Sequence, residues 1–218
     1  MRKLCCFGIL TMVLLAVSGC GGSGGGHDHH DAAPVFEAWI LSAQPSDGDI
    51  AFDPVRQVLT ITQGPDTVFF GIDDLDPHYS EYRAFLDFPL DGSTGEDVIP
   101  ADARIVSAAL EVFIDSVSFA SAIPTRIDLV RYPIAGLGEA DFDSPPFLSL
   151  ATTFFASDYG RSVIIDITAL MMEAQRLGLA DFQIRLLLDP EADFGLVGIE
   201  DRPDVSIRAP QISVVYSL

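Results

Sequence analysis

Residues 106–115, the stretch VSAALEVFID, give the clearest indication of the fold class. Apolar and polar residues alternate along it, and this two-residue period is that of a β-strand with one buried face. We therefore expect a strand of about ten residues here. Its polar side carries Ser107, Glu111 and Asp115, and its buried side is expected to be Val106, Ala108, Leu110, Val112 and Ile114.

Shorter segments of the same kind surround this strand. Residues 182–188 alternate with Gln183 and Arg185 on the polar side, which predicts another half-buried strand. We expect Arg185 and Arg83 to pair with acids on the sheet surface. Clusters of Gly and Pro separate the segments, as turns require. The remaining candidate strands are residues 58–62, 67–72, 83–88, 126–132, 161–167, 205–207 and 212–216.

One segment has helical character instead. Residues 168–177 place apolar side chains at helical spacing, Thr168 or Asp166 can cap the start, and Gly178 stands where a C-terminal cap belongs. Many short strands with one helix predict an all-β fold, an antiparallel, jelly-roll-like β-sandwich with one short helix. We assign this domain to residues 46–218.

The amino-terminal residues have the features of an export signal. Arg2 and Lys3 precede an apolar stretch, residues 4–17, that is shorter than the ~20 residues of a membrane-spanning helix. The following Val-Ser-Gly-Cys, residues 17–20, resembles the lipobox of bacterial lipoproteins. We therefore predict a signal peptide over residues 1–19 and a lipid on Cys20. This implies a bacterial cell envelope location, lipid-anchored, at the outer membrane or cell surface.

A tether follows the predicted lipid. Residues 21–26 are Gly and Ser only, which is typical of a flexible linker, and we assign residues 20–45 to the tether and a lead-in that contains Trp39. His27, His29 and His30 lie close together and form a candidate transition-metal site. The alternative interpretation is a solvated polar end of the linker.

The charge balance excludes several classes of function. Without the signal peptide the chain has 10 arginines, no lysine and 32 acidic residues, a net charge of −22. Nucleic-acid partners are not expected, because phosphate binding needs clusters of basic residues. Schiff-base chemistry and P-loops need lysine, and no thiol remains besides Cys20. His78 is the one histidine after the tether, so we expect no enzyme.

Several segments occur in an order that is found in a known family. They are residues 82–90 (YRAFLDFPL), 99–113, 163–170, 183–186 and 210–216. Over about residues 57–217 the chain resembles the DNRLRE, or disaggregatase-related, domains, which are carbohydrate-binding-module-like jelly rolls. The resemblance implies a β-sandwich of extracellular proteins, some of which bind polysaccharide. Two family segments are replaced here, by residues 76–81 and by residues 139–146, and the second replaces a tryptophan-rich loop.

Two sets of residues are candidates for ligand binding. Calcium prefers oxygen ligands, and loop carboxylates at short spacing supply them, so Asp73, Asp76, Asp141 and Asp143 are a candidate calcium set. The alternative is a solvated acidic surface. Sugars bind to exposed aromatic rings, and the candidates near strand ends or loops are Tyr79, Tyr82, Tyr132 and Tyr159.

The sequence thus favours a non-catalytic surface lipoprotein whose β-sandwich binds carbohydrate. A structural or adhesion module that binds a surface protein is the first alternative. A metal-handling lipoprotein acting through its histidines is the second. Under each of these interpretations we also expect the protein to contact the membrane through its lipid anchor.

Overall fold

The computed structural model describes residues 34–94, 97–100, 102–202 and 208–218. Strands dominate these residues, with one α-helix and three short 3-10 turns. The elements are β1 (Val35–Leu41), β2 (Gly48–Asp53), β3 (Val58–Gln63), β4 (Thr67–Ile72), β5 (Glu81–Pro89), β6 (Arg104–Ser118), β7 (Ala122–Val130), β8 (Leu148–Phe155), β9 (Ser162–Asp166), α1 (Thr168–Leu177), β10 (Asp181–Leu188), β11 (Gly195–Glu200) and β12 (Gln211–Ser217).

All pairings between these strands are antiparallel, and they join into one curled sheet. Its main path runs β1-β12-β6-β11-β4-β5-β10-β7-β8, while β9 pairs with β6, and β2 pairs with both β3 and β5. One core cluster contains residues of β6 and β12 together with residues of β4, β5, β7 and β10, so the two halves of the sheet face each other. The all-β sandwich with one short helix is confirmed.

The long strand β6 connects the two halves. Its first part pairs with β12 and its last part with β11, and both pairings contain a register shift. The shift opposite Val215 and Tyr216 moves the buried parity by one residue. Ile105 is therefore buried and Val106 is 53% exposed, which corrects the expected buried set at this one position. Ala108, Leu110, Val112 and Ile114 are buried as expected.

A second, smaller core covers the outer face of the β5-β10-β7 part of the sheet. It contains Ile50, Phe85, Val130, Tyr132, Leu137 and Phe142. The strands β5 and β10 consequently bury both of their faces. Arg185 is 2% exposed, so the prediction of a half-buried β10 with a surface arginine is wrong. The guanidinium does pair with an acid, Asp128, but inside the protein.

The helix packs on the main core through Leu170, Met171 and Ala174. The Asp166 carboxylate accepts a hydrogen bond from Thr168 N (2.9 Å) at its start, and Gly178 ends it in the left-handed conformation (φ 64°). Both features were expected from the sequence. No helix in the described part of the chain is long and apolar enough to cross a membrane.

Four strands were not expected from the sequence. They are β1, β2, β8 and β11. Strand β1 lies inside the segment assigned to the lead-in, and it pairs with β12 along its whole length. The compact unit that contains the sandwich begins at Ala33. The expected strand at 205–207 lies outside the described residues.

Candidate binding groove

Two adjoining depressions lie on the outer surface of β2, β3, β4 and β5. Their volumes are about 370 and about 260 Å³, and both are lined by Thr62 and Tyr82. We call the combined surface the Tyr82 groove. Its other lining residues include Asp49, Ala51, Asp53, Arg56, Thr60, Phe69, Asp73, Asp76, His78 and Ser80.

Strand pairing brings the centre of the groove together. Tyr82 on β5 lies opposite Ala51 of β2 and Gly71 of β4. Its ring meets the Phe69 ring edge-on, with centroids 6.3 Å apart. Both neighbours are small residues, and Tyr82 is half-buried between them while lining both depressions. An aromatic surface of this kind, flanked by polar groups, is the usual platform for a sugar ring.

Gly71 is also fixed by the backbone. It has a φ of 113°, and a Cβ built there would lie 1.9 Å from the carbonyl oxygen of Gly195 on β11. No larger residue fits at this point without a shift of the backbone.

The loop between β4 and β5 forms the acidic rim of the groove. Asp73 Oδ1 accepts a hydrogen bond from Leu75 N (2.9 Å), and Asp76 Oδ1 accepts one from His78 N (3.0 Å). The Ser80 hydroxyl donates to the Asp76 carboxylate. These bonds, led by that from Ser80, lower the pKa of Asp76. Sidechain-to-backbone turns of this type hold acidic residues in fixed positions.

Several carboxylates surround the Tyr82 hydroxyl. Burial raises the pKa of Tyr82, and the negative charges of Asp73, Asp49 and Asp76 raise it further. Asp49 is 3% exposed and accepts a hydrogen bond from Phe69 N (3.1 Å). Burial raises the pKa of Asp49 to about 6. Ionised carboxylates only accept hydrogen bonds, so the groove suits a ligand that donates them.

A histidine–carboxylate pair lies at one end of the groove. His78 Nδ1 is 2.8 Å from Asp53 Oδ2. Burial acts to raise the pKa of Asp53, but hydrogen bonds from Arg56 N, His78 and Val55 N lower it. A histidine bonded to a carboxylate in this way supplies two of the three members of a Ser-His-Asp triad. Ser80, which lines the same depression, donates its hydroxyl to Asp76 instead.

The candidate calcium residues fall into two separate places. Asp73 and Asp76 lie at the groove, as described above. The Asp141 carboxylate accepts a hydrogen bond from Gly138 N (2.7 Å), and Asp143 pairs with Arg83 (2.8 Å), so both serve the loop that covers the second core. Among the described residues, no three His, Cys, Asp or Glu side chains are arranged to hold a metal ion.

The four candidate tyrosines also separate. Tyr82 lines the groove, and Tyr79 is 57% exposed in the acidic loop beside it. Tyr159 is 66% exposed after β8 and is not part of the groove. Tyr132 is 4% exposed and packs edge-on against Phe85 in the second core, so its ring is not available to a ligand.

Other predicted sites lie outside the described residues. These are the signal peptide at 1–19, the lipidation site Cys20, and His27, His29 and His30.

A further depression of about 360 Å³ lies beside α1 and is lined mainly by aliphatic side chains, including those of Leu90, Ile99, Ile105, Met171 and Leu179. It lacks the several polar groups that would orient a sugar.

Sequence reasoning missed the groove residues on β2, β3 and β4, namely Asp49, Asp53, Thr60, Thr62 and Phe69. A signal for β2 was present, because Ile50 and Phe52 alternate with Asp49, Ala51 and Asp53. Nothing in the sequence shows that β2 pairs with β5, and it is this pairing that places Asp49 beside Tyr82.

Fold and groove together define an antiparallel β-sandwich with an acidic, aromatic surface depression. The chain matches no known protein-family model and no curated protein. The resemblance to the DNRLRE domains therefore stays a prediction.

Proposed function

We propose that this chain is a non-catalytic carbohydrate-binding module, anchored to the bacterial envelope through a lipid on Cys20. The observation that carries the proposal is the Tyr82 groove. Three residue types that sugar sites use are adjacent there: an aromatic pair, threonine hydroxyls and carboxylates. Two of the four tyrosines and two of the four acids selected from the sequence lie in the groove or on its rim.

The charge of the groove favours neutral sugars. Asp53 and Asp76 have lowered pKa values and are ionised at neutral pH, and Asp73 lies beside them. Arg56 is the one arginine in the lining. Uronic acids and sulfated sugars would be repelled, whereas the hydroxyl groups of a neutral polysaccharide donate hydrogen bonds to carboxylates.

A glycan array tests the proposal. Residues 31–218 would be screened against neutral and acidic glycans, first with calcium and then with a chelator. We expect saturable binding to neutral polysaccharide. Binding that disappears in the chelator would assign calcium to the site. The absence of a hit under both conditions would overturn the proposal.

Two variants locate the site. Tyr82→Ala removes the aromatic platform, and we expect the affinity for the hit to fall by at least about tenfold, which corresponds to about 1.4 kcal/mol. Tyr159→Ala is the matched control, because it removes an exposed tyrosine outside the groove. Equal losses in both variants, or no loss in Tyr82→Ala, would place binding elsewhere.

A protein-binding module is the second candidate function. The edge strand β1 exposes Val35, Phe36 and Trp39, at 60%, 41% and 42%. It pairs with β12 on one side, and on the other side Asp97 is hydrogen-bonded to Trp39: Trp39 N donates to the Asp97 carboxylate (3.1 Å) and the Trp39 carbonyl accepts from Asp97 N (3.2 Å). A protein partner would therefore contact the exposed apolar side chains of β1. Loss of that partner in Trp39→Ala, with unchanged glycan binding, would favour this function. Metal handling through His27, His29 and His30 has no observation in the described residues that favours it.

A further inference from the structure

Three fully buried carboxylates lie near one another where the connection from β1 to β2 meets β5 and the end of β11. Asp47 and Asp87 are 0% exposed and Asp201 is 1% exposed. Four of their six carboxylate oxygens have no hydrogen-bond partner: Oδ2 of Asp47, both oxygens of Asp87, and Oδ2 of Asp201. We call these residues the buried acid cluster. Buried unpaired carboxylates are costly, so their charge must be compensated or removed.

The cluster ties three segments of the chain together. Asp47 Oδ1 accepts a hydrogen bond from Asp87 N (2.6 Å), and the Asp87 carbonyl accepts one from Ala43 N (2.8 Å). The Ser42 hydroxyl donates to Asp201 Oδ1 (3.2 Å). Residues 42–47 are therefore fastened to β5 on one side and to the end of β11 on the other.

The groups that face the cluster are neutral or acidic. Tyr132 contributes from the segment after β7, Asp66 from the turn before β4, Asp141 from the loop over the second core, and Asp181 from β10. Burial and the charge of Asp91 raise the pKa of Asp181, and the charge of Arg131 lowers it. The neutral polar neighbours are Ser42, Ser46 and Gln183.

Two further buried polar groups lie beside the cluster. The Tyr132 hydroxyl is buried without a partner, and the Gln183 side chain faces Asp87, where, against the larger effect of burial, it acts to lower the pKa of that carboxyl. Gln183 Oε1 accepts a hydrogen bond from Tyr132 N (2.9 Å), which directs the amide nitrogen away from that bond. Such donors stabilise ionised carboxylates and do not ligate a cation, and among the described residues no three acidic or histidine side chains are arranged to hold a metal ion.

We infer that Asp47 and Asp201 share a proton, and that this carboxyl pair is a pH-dependent latch that holds residues 42–47 against β5 and β11. Both side chains are buried, and Ser42, on the same short connection as Asp47, donates to Asp201 (3.2 Å), so a proton on one carboxyl can be hydrogen-bonded by the other. When both are ionised, they repel each other inside the protein, and this repulsion weakens the contacts of residues 42–47 with β5 and the end of β11.

The direction of the pH effect follows from burial. Burial, with the charge of Asp201, raises the pKa of Asp47 well above its usual range, and burial raises the pKa of Asp201 to about 7. Burial also raises the pKa of Asp87 to about 6. A carboxyl whose pKa is higher in the folded state binds its proton more tightly there. Its stabilisation is complete below about pH 4 and is lost as the pH rises towards 7.

Equilibrium unfolding in urea at pH 4 to 8 tests the latch. The full chain in a neutral detergent would be followed by the fluorescence of Trp39, its only tryptophan. We expect the unfolding equilibrium constant of the wild type to rise between pH 4 and 7, by up to about tenfold per pH unit for each proton released. Asp201→Asn should release one proton fewer on unfolding, so its unfolding equilibrium constant should rise less steeply with pH. Asp74→Asn changes an exposed carboxylate and should leave the dependence as it is.

Carbon-13 NMR of the aspartate carboxyl groups gives a second readout that needs no folded variant. We expect the wild type to have at least one carboxyl that titrates above pH 5.5 in addition to those of Asp49 and Asp87. The absence of such a carboxyl, or equal pH dependence in wild type and Asp201→Asn, would overturn the inference. So would calcium chloride that stabilises the wild type at pH 7 but not Asp201→Asn, because the cluster would then hold a cation.

Discussion

Asp128 and Asp87 are both completely buried, and both lie next to the same strand, β10, but their charges are treated in opposite ways. Asp128 lies opposite Arg185, and the two side chains form an ion pair of 2.7 Å. Asp87 lies opposite Gln183, two residues earlier on the same face. An amide cannot neutralise a carboxylate, and burial raises the pKa of Asp87 to about 6. Two positions of one strand thus show charge compensation and its absence.

The compensated side also organises the loop above it. Arg185 Nη1 donates to the carbonyl oxygens of Asp141 (3.0 Å) and Phe142 (2.7 Å). One guanidinium thereby satisfies an acid and the backbone of the loop that covers the second core. On the uncompensated side, around Asp87, no guanidinium takes this part among the described residues, and burial raises the pKa of the carboxyl, so we expect this side of the fold to respond most to pH.

The largest expected effect comes from breaking the compensated pair. Arg185→Ala leaves the Asp128 carboxylate and two loop carbonyls inside the protein with fewer donors. We expect the free energy of unfolding at pH 7 to fall by about 3–5 kcal/mol, measured by urea denaturation. Arg126→Ala is the control, since Arg126 also contacts Asp128 (3.0 Å) but is 32% exposed, and it should cost much less. If both variants lost a similar free energy of unfolding, the burial of Arg185 would not explain the strength of its ion pair.

On the uncompensated side we expect a smaller effect of opposite sign. Asp87→Asn keeps the shape of the side chain and removes its titration. Because the pKa of Asp87 is raised, wild-type stability falls between about pH 4 and 6, and the variant should not show this loss. Relative to the wild type, the variant should gain roughly 2–3 kcal/mol between pH 4 and 8. A variant that loses stability equally at both pH values would show that Asp87 is needed as a carboxylate.

The sequence predicted the local elements that carry this comparison but neither of its two halves. The strands β6 and β10, the helix and its Gly178 cap follow local patterns and are present in the structure, although β10 buries both of its faces. Burial of Arg185 depends on the loop at 133–146, which has no periodicity and crosses the sheet only in the folded protein. The acid cluster combines Asp47, Asp87 and Asp201, which are far apart in the sequence, and no local pattern links them.

The groove itself was not predicted, although four residues in it or on its rim were candidates. Asp73 and Asp76 were selected for calcium and Tyr79 and Tyr82 for sugar, and all four belong to one short segment. Asp49 and Phe69 lie on the strands β2 and β4, and only the pairing of these strands with their neighbours brings both residues to the groove. Val106 shows the same limit inside a strand, because a register shift on β12 decides which side it faces.

Arg83 lies between the two extremes and should give an intermediate effect. It is 13% exposed, pairs with Glu81 (2.7 Å), donates to the Phe142 carbonyl, and stands 3.7 Å from the centre of the Phe142 ring. We expect Arg83→Ala to lower the free energy of unfolding by about 1–2 kcal/mol. Arg83→Lys keeps the charge but loses the planar stacking, and it should recover only part of this loss. Full recovery would show that charge alone is responsible.

The smallest effect on stability is expected where an acid is paired at the surface. Asp53 and His78 lie at the end of the Tyr82 groove with their side chains 15% and 24% exposed, and water that reaches this open groove screens their interaction. We expect His78→Ala to shift the melting temperature by less than about 2 °C. The same change should weaken binding of a neutral glycan, because the imidazole lines the groove. A large loss of stability with unchanged binding would assign His78 to the fold, and charge pairing at the surface would then matter as much as it does inside.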